Sequence, residues 1–128
     1  MSIVLMNWVY ISDEVAADAD YFVTAARPNT DATMAQTSLA AGHNGGGRNV
    51  TVTTTGSESG ISMTATGTDV DGAAQTETIA LPGSATTTAG TKIFKTVTAV
   101  SVTAQPAAYI TVGFGSVCGS KIGGGGVF

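Results

Sequence analysis

The run Val50-Thr51-Val52-Thr53 alternates apolar and hydroxyl side chains. After the turn Gly56-Ser57-Glu58-Ser59-Gly60, Ile61-Ser62-Met63-Thr64-Ala65-Thr66 repeats that alternation. A period of two puts alternate residues on opposite faces, so each run reads as a strand with one covered face. Val50, Val52, Ile61, Met63 and Ala65 are the predicted inward residues, with Thr51 and Thr53 outward. The chain has 21 threonines among 128 residues, mostly set between Val, Ile, Met or Ala. β-branched side chains are stiff at χ1 and suit a pleated surface, so this composition favours sheet over helix.

Working outward, residues 67–72 (Gly-Thr-Asp-Val-Asp-Gly) form a tight connection, with Asp71-Gly72 as a hairpin signal. Residues 75–81 read as the returning strand, with Ile79 and Leu81 inward, and Pro82-Gly83 ends it. Residues 84–90 read as a polar loop. Residues 92–103 read as the longest strand. Its phase is uneven, because Phe94, Val100 and Val102 share one parity and Val97 has the other. Either a bulge near Thr98-Ala99 or partial cover on both faces accounts for this. Gln105-Pro106 breaks the run, and residues 109–114 form a last strand with Ile110, Val112 and Phe114 on one face.

The first third is less regular. Residues 3–11 and 20–27 read as strands, joined by a polar connection over 12–19. Residues 29–41 fit a short capped helix or extended chain equally well. Residues 42–47 read as a flexible loop. These signals predict an all-β, antiparallel sandwich or barrel-like domain of about six to eight short strands with extended terminal arms. One domain spans 1–121, less regular over 1–47 and regular over 48–115, and 122–128 is a glycine-rich flexible tail.

Charge narrows the function classes. Only 11% of the residues are charged, the net charge is −4, and the basic residues Arg27, Arg48, Lys92, Lys95 and Lys121 are scattered. No basic stripe exists to neutralise phosphates, so no nucleic-acid partner is expected. The apolar start, residues 1–11, is too short to span a membrane and has no basic leader, so no membrane partner is expected either. A surface this poor in charge suits a protein held in an assembly.

The motifs that carry chemistry are weak. His43, the sole histidine, sits in a glycine-rich loop, a poor platform for a catalytic base. Cys118, the sole cysteine, has no second thiol to pair with and reads as a small apolar residue. Asp69-Val70-Asp71-Gly72 resembles the start of a calcium loop but lacks the later ligands, so it reads as a turn with the Asp side chains capping amides. Residues 42–47 lack a phosphate-binding lysine. Asn49-Val50-Thr51 matches a glycosylation acceptor by chance in a threonine-rich chain. No enzyme activity, cofactor or metal is expected.

The segment 48–114 carries a resemblance. It reads Arg-Asn-Val-Thr-Val-Thr-Thr from 48, Ser-Gly-Ile-Ser-Met-Thr-Ala-Thr-Gly-Thr-Asp-Val-Asp-Gly from 59, and Gln-Thr-Glu-Thr-Ile from 75. Thr-Lys-Ile-Phe-Lys-Thr-Val-Thr-Ala-Val-Ser-Val follows from 91, and Ile-Thr-Val-Gly from 110. In this order the segment resembles small threonine-rich structural proteins of tailed bacteriophage virions, most of all capsid decoration (cement) proteins. The resemblance covers about half the chain. It implies a β-sandwich-type domain, a homo-oligomer with a trimer favoured, made in the bacterial cytoplasm and carried on the capsid exterior. The major capsid protein would be its partner. A head–tail adaptor, tail-tube or fibre component would suit the same composition. A carbohydrate- or host-surface-binding module would instead present Trp8, Tyr10, Tyr21 and Tyr109 to solvent. For capsid binding the candidate anchors are Val4, Met6, Trp8 and Tyr10, which share one strand face, and Phe128 at the tail; the apolar start fits a core strand equally well.

Overall fold

The computed structural model describes residues 16–38 and 47–119, and by backbone alone the short strands 121–122 and 126–127. Two antiparallel sheets face each other. Strands β1 (Asp18–Ala26), β2 (Gly47–Thr54), β5 (Thr87–Phe94) and β7 (Ile110–Gly119) form one, in the order β1-β7-β2-β5. Strands β3 (Ser62–Thr68), β4 (Ala74–Ala80) and β6 (Thr96–Val102) form the other, in the order β4-β3-β6. The pair β8 (Lys121–Ile122) and β9 (Gly126–Val127) makes a small antiparallel ladder that starts one residue before the predicted tail. The domain is therefore all-β, as the alternation predicts, and of the sandwich and barrel it left open the two sheets form a sandwich-like pair, with no helix among the described residues. The described part of 29–41 is extended.

The inward residues of both sheets build one core. Val50, Val52, Ile110, Val112, Phe114, Phe22 and Phe94 come from the four-stranded sheet, and Met63, Ala65, Ile79, Val97, Val100 and Val102 from the other. Each Val, Ile, Met or Phe among them contributes about 1.5–3 kcal/mol when fully buried, and Ala65 less. Outward hydroxyls pair across strands: Thr53 with Thr87 at 2.6 Å, Thr64 with Thr78 at 3.0 Å, and Thr68 with Thr96 at 2.7 Å. Threonine thus does two jobs, giving the strand its stiffness and its exposed face a partner.

Several expectations need correction. Thr51 is not outward in the sense of being solvated, since it is buried beside Gly113 and Ala89 in the middle of its sheet. Residues 87–90 are strand, not polar loop, and Gly67 lies inside β3 rather than in the turn. β1 begins at Asp18, inside the predicted connection.

The largest correction concerns 92–103, which is two strands in two sheets. Phe94 ends β5 opposite Arg48, and Thr96 opens β6 opposite Thr68. Lys95 is the corner, with its N–H donating to Thr68 O at 2.8 Å. Gly67 permits this close approach, because a Cβ there would overlap the Thr96 carbonyl. The bulge expected near Thr98 is also present. Thr66 pairs with Ala99 and Gly67 with Val97, leaving Thr98 as the extra residue. Corner and bulge together explain the mixed parity.

The seams between the sheets are both bridged. On one side the segment 30–38 runs as a strap along β6. Val102 N–H donates to Thr30 O (2.8 Å), Ala32 N–H to Val100 O (2.8 Å) and Val97 N–H to Thr37 O (2.9 Å). The strap also reaches β1, where Ala35 N–H donates to Phe22 O at 2.7 Å. On the other side, side chains of β4 reach the backbone of β5. Glu77 accepts from Thr91 N–H (2.7 Å) and Lys92 N–H (3.2 Å), and Gln75 Nε2 donates to Ile93 O. Lys92 Nζ returns the contact to Thr76 O at 2.7 Å.

Candidate functional site

The sequence-predicted anchors Val4, Met6, Trp8, Tyr10 and Phe128, the strand over 3–11 and the loop carrying His43 lie outside the described residues. The Cys118 side chain does as well, although its backbone belongs to β7. Tyr21 and Tyr109 are described and do not form one platform. Tyr21 is half-buried, edge-on to Phe22 (5.2 Å) and Phe114 (5.1 Å), and its hydroxyl donates to Ser38 O. Tyr109 is 55% exposed, and among the described residues the other large hydrophobic side chain left that open is Val117.

Tyr109 sits where three connections meet at one end of the sandwich: 55–61 between β2 and β3, 81–86 between β4 and β5, and 103–109 between β6 and β7. The strand order brings them together, because β2 lies between β5 and β7. Thr54, at the end of β2, donates its hydroxyl towards Ser84 O (3.0 Å) and Gly56 O (2.8 Å), and its N–H to Thr86 O (3.0 Å). Tyr109 O accepts from Thr55 N–H at 3.1 Å and from its hydroxyl at 3.4 Å.

Glu58 locks this cluster. It is 3% exposed, and its carboxylate accepts from Ala107 N–H (3.0 Å) and Ala108 N–H. Its own N–H donates to Pro82 O (3.0 Å), so one residue ties all three connections. A buried carboxylate is costly unless its lone pairs are met, and here backbone amides meet them. Arg27 extends the network, with Nε donating to Pro106 O (3.0 Å) while Gln105 Nε2 donates to Arg27 O (3.0 Å). The sequence hid Glu58. Flanked by serines and then glycines, it reads as a solvated turn residue, and nothing local marks it as buried.

A second buried polar group lies in mid-sheet. Arg48 donates from Nη1 to Gly115 O (2.6 Å), with its guanidinium 5.3 Å from the centre of the Phe114 ring. Asn49 is 2% exposed, donating to Gly90 O (3.2 Å) and accepting from Val117 N–H (3.1 Å). Its amide is held at both ends within the sheet, which gives the glycosylation-like triplet a structural role instead.

The Asp69 turn is as read. Asp69 Oδ1 accepts from Asp71 N–H (2.8 Å) and Ala73 N–H (3.0 Å), and Gly72 takes φ of 84°. Among the described residues no three His, Cys, Asp or Glu side chains gather as a metal group would require. Nor is any helix among them long and apolar enough to cross a membrane. Asp18 and Asp20 lie side by side on β1. The hydrogen bond and the charge of Asp18 raise the Asp20 carboxyl above its ordinary value.

Buried Thr54 and Glu58 thus hold backbone at the Tyr109 end, and its three connections carry no charged residue other than Glu58. Comparison with protein-family models, curated protein sequences and solved structures found no match.

Proposed function

We propose that this chain is a structural protein of a bacteriophage virion, one that decorates the outer surface of the capsid and stabilises the head. Its partner on this reading is the major capsid protein, and it acts as a homo-oligomer, with a trimer favoured. It performs no catalysis and takes no cofactor.

One observation carries the reading. The segment with the decoration-protein resemblance, 48–114, spans β2 to β7, and its buried polar side chains Arg48, Asn49, Thr54 and Glu58 all bind backbone across strands or loops. That arrangement makes a stiff plate, and a cement needs stiffness. The small charge and hydroxyl-covered strands suit a molecule packed among neighbours.

The test mixes purified protein with capsids that lack it. Saturable binding spread over the lattice, with a raised melting temperature of the particle, is the expected result. A single ring of copies at one vertex would mean a connector instead. No binding to capsids would sink the proposal.

A further inference from the structure

We infer that the strap 30–38 is a removable cover over a self-association edge: when it lifts, the outer edge of β6 pairs antiparallel with the same edge of a second copy of this chain. No capsid enters this, because the partner is the chain itself.

An edge strand offers unpaired backbone groups to other chains, and charge on the strand is a common guard. Of the four edge strands of the two larger sheets, three carry charge: Asp18 and Asp20 on β1, Glu77 on β4 and Lys92 on β5. β6 carries none. Its sequence, Thr96-Val97-Thr98-Ala99-Val100-Ser101-Val102, also lacks glycine and proline and is mostly β-branched. That composition marks segments that pair with copies of themselves. The guard on β6 is main chain instead. Val97 N–H, Val100 O and Val102 N–H are the groups a further strand would use, and the strap takes all three. The bulge at Thr98 explains why these three share an edge although their numbers differ in parity. The strap also sets Asp31 opposite Ser101, supplying the charge that β6 lacks.

The cover is lightly held. Thr30, Asp31, Thr33 and residues 35–38 are exposed, and within the strap Ala32 and Met34 alone pack on the core, each half-buried. Its remaining ties are Ala35 N–H to Phe22 O and the Tyr21 hydroxyl to Ser38 O. A segment with solvent-exposed backbone bonds and little buried apolar area opens locally before the sheet beneath it does. Lifting the strap strips partners from Val97, Val100 and Val102, and the β6 edge of another molecule brings donors and acceptors alike. A two-fold pairing asks for no second surface, since each copy presents the same edge.

The bonds Ala32 N–H to Val100 O and Val102 N–H to Thr30 O flank the pair Asp31 and Ser101, which is therefore a non-hydrogen-bonded pair, the closest cross-strand approach. Full-length protein carrying Asp31→Cys, Ser101→Cys and Cys118→Ser locks the strap when oxidised and frees it when reduced. Oxidation at high dilution keeps the bridge within one chain. Sedimentation velocity over a concentration series compares these two forms. It also compares wild type with Ala32→Pro, which removes one strap bond, and with Ala32→Pro/Ala99→Lys, which adds a charge beside the β6 edge. Circular dichroism checks each fold. The reduced form should self-associate where the oxidised form does not. Ala32→Pro should associate at concentrations about tenfold or more below wild type, and adding Ala99→Lys should reverse this. Equal behaviour of the oxidised and reduced forms overturns the inference. So does association of Ala32→Pro that Ala99→Lys leaves unchanged. If Ala32→Pro does not fold, the oxidised and reduced forms decide alone.

Discussion

The two seams of the sandwich are closed by different means. Between β6 and β1 a length of main chain is laid in as a strap, giving and taking backbone hydrogen bonds with β6 and donating one to β1. Between β4 and β5 no chain is inserted, and three polar side chains span the gap. The strap seam also carries burial. Phe22 is 1% exposed at its edge, and Ala32 and Met34 on the strap pack against the core. The side-chain seam carries polar contacts over Gln75 and Glu77, both half-buried. Either device denies the sheet edge to another strand, which is how native sheets avoid edge-to-edge pairing. They should differ in energy, because burial scales with apolar area whereas half-exposed polar contacts are screened.

Phe22→Ala tests the larger side of that contrast. It deletes a fully buried ring at the strap seam and should lower unfolding free energy by about 3–5 kcal/mol. Urea denaturation followed by fluorescence reads the loss. A change below about 1 kcal/mol would mean that the seam collapses onto the gap and burial there matters little.

Ala32→Pro probes the strap itself. It removes the N–H that binds Val100 O, and leaves that carbonyl short of a donor. A loss of about 1–3 kcal/mol is expected. Hydrogen exchange at the Val97 and Val102 amides, which bind Thr37 O and Thr30 O, should speed up more than exchange in β3. Uniform acceleration throughout would show that the strap is not a separate closing element.

Glu77→Gln probes the opposite seam. The amide keeps one acceptor and loses the charge that serves Thr91 and Lys92. For a half-exposed group the expected loss is about 0.5–1 kcal/mol. A loss as large as that of Phe22→Ala would erase the difference between the seams.

The sequence made the strands legible wherever alternation was clean, as at Val50, Val52, Met63 and Ala65. It made the seams illegible, and the reasons are physical. The strap has no period, because its residues are positioned by the edges of β6 and β1 rather than by a face of their own. The corner at Lys95 carries no Gly or Pro, so residues 92–103 looked continuous, and the permissive glycine, Gly67, lies far away in sequence on β3. Only the parity of Val97 betrayed it. Burial of Glu58 and Thr51 was hidden for the same reason, since each is enclosed by residues distant along the chain. Of the candidate site, the exposed Tyr109 was noted as one aromatic among several. What singles it out is tertiary: Tyr21 turns towards the core and Tyr109 does not.

The smallest effect sharpens the comparison from the strap side. Asp20 lies on β1, the strand that carries Phe22, and the neighbouring Asp18 raises its carboxyl. A raised value means that the folded state binds this proton more tightly than the unfolded state does. Stability attached to Asp20 is therefore present at acid pH and is lost as pH rises through the titration of the carboxyl. Asp20→Asn should accordingly raise the melting temperature slightly at neutral pH, with the gain fading as pH falls and shrinking in high salt. The side chain is fully exposed, so the gain must be small beside the loss from Phe22→Ala two residues on. A gain comparable to that loss would mean that charge on β1, and not the ring beneath it, governs how this edge of the sandwich is held.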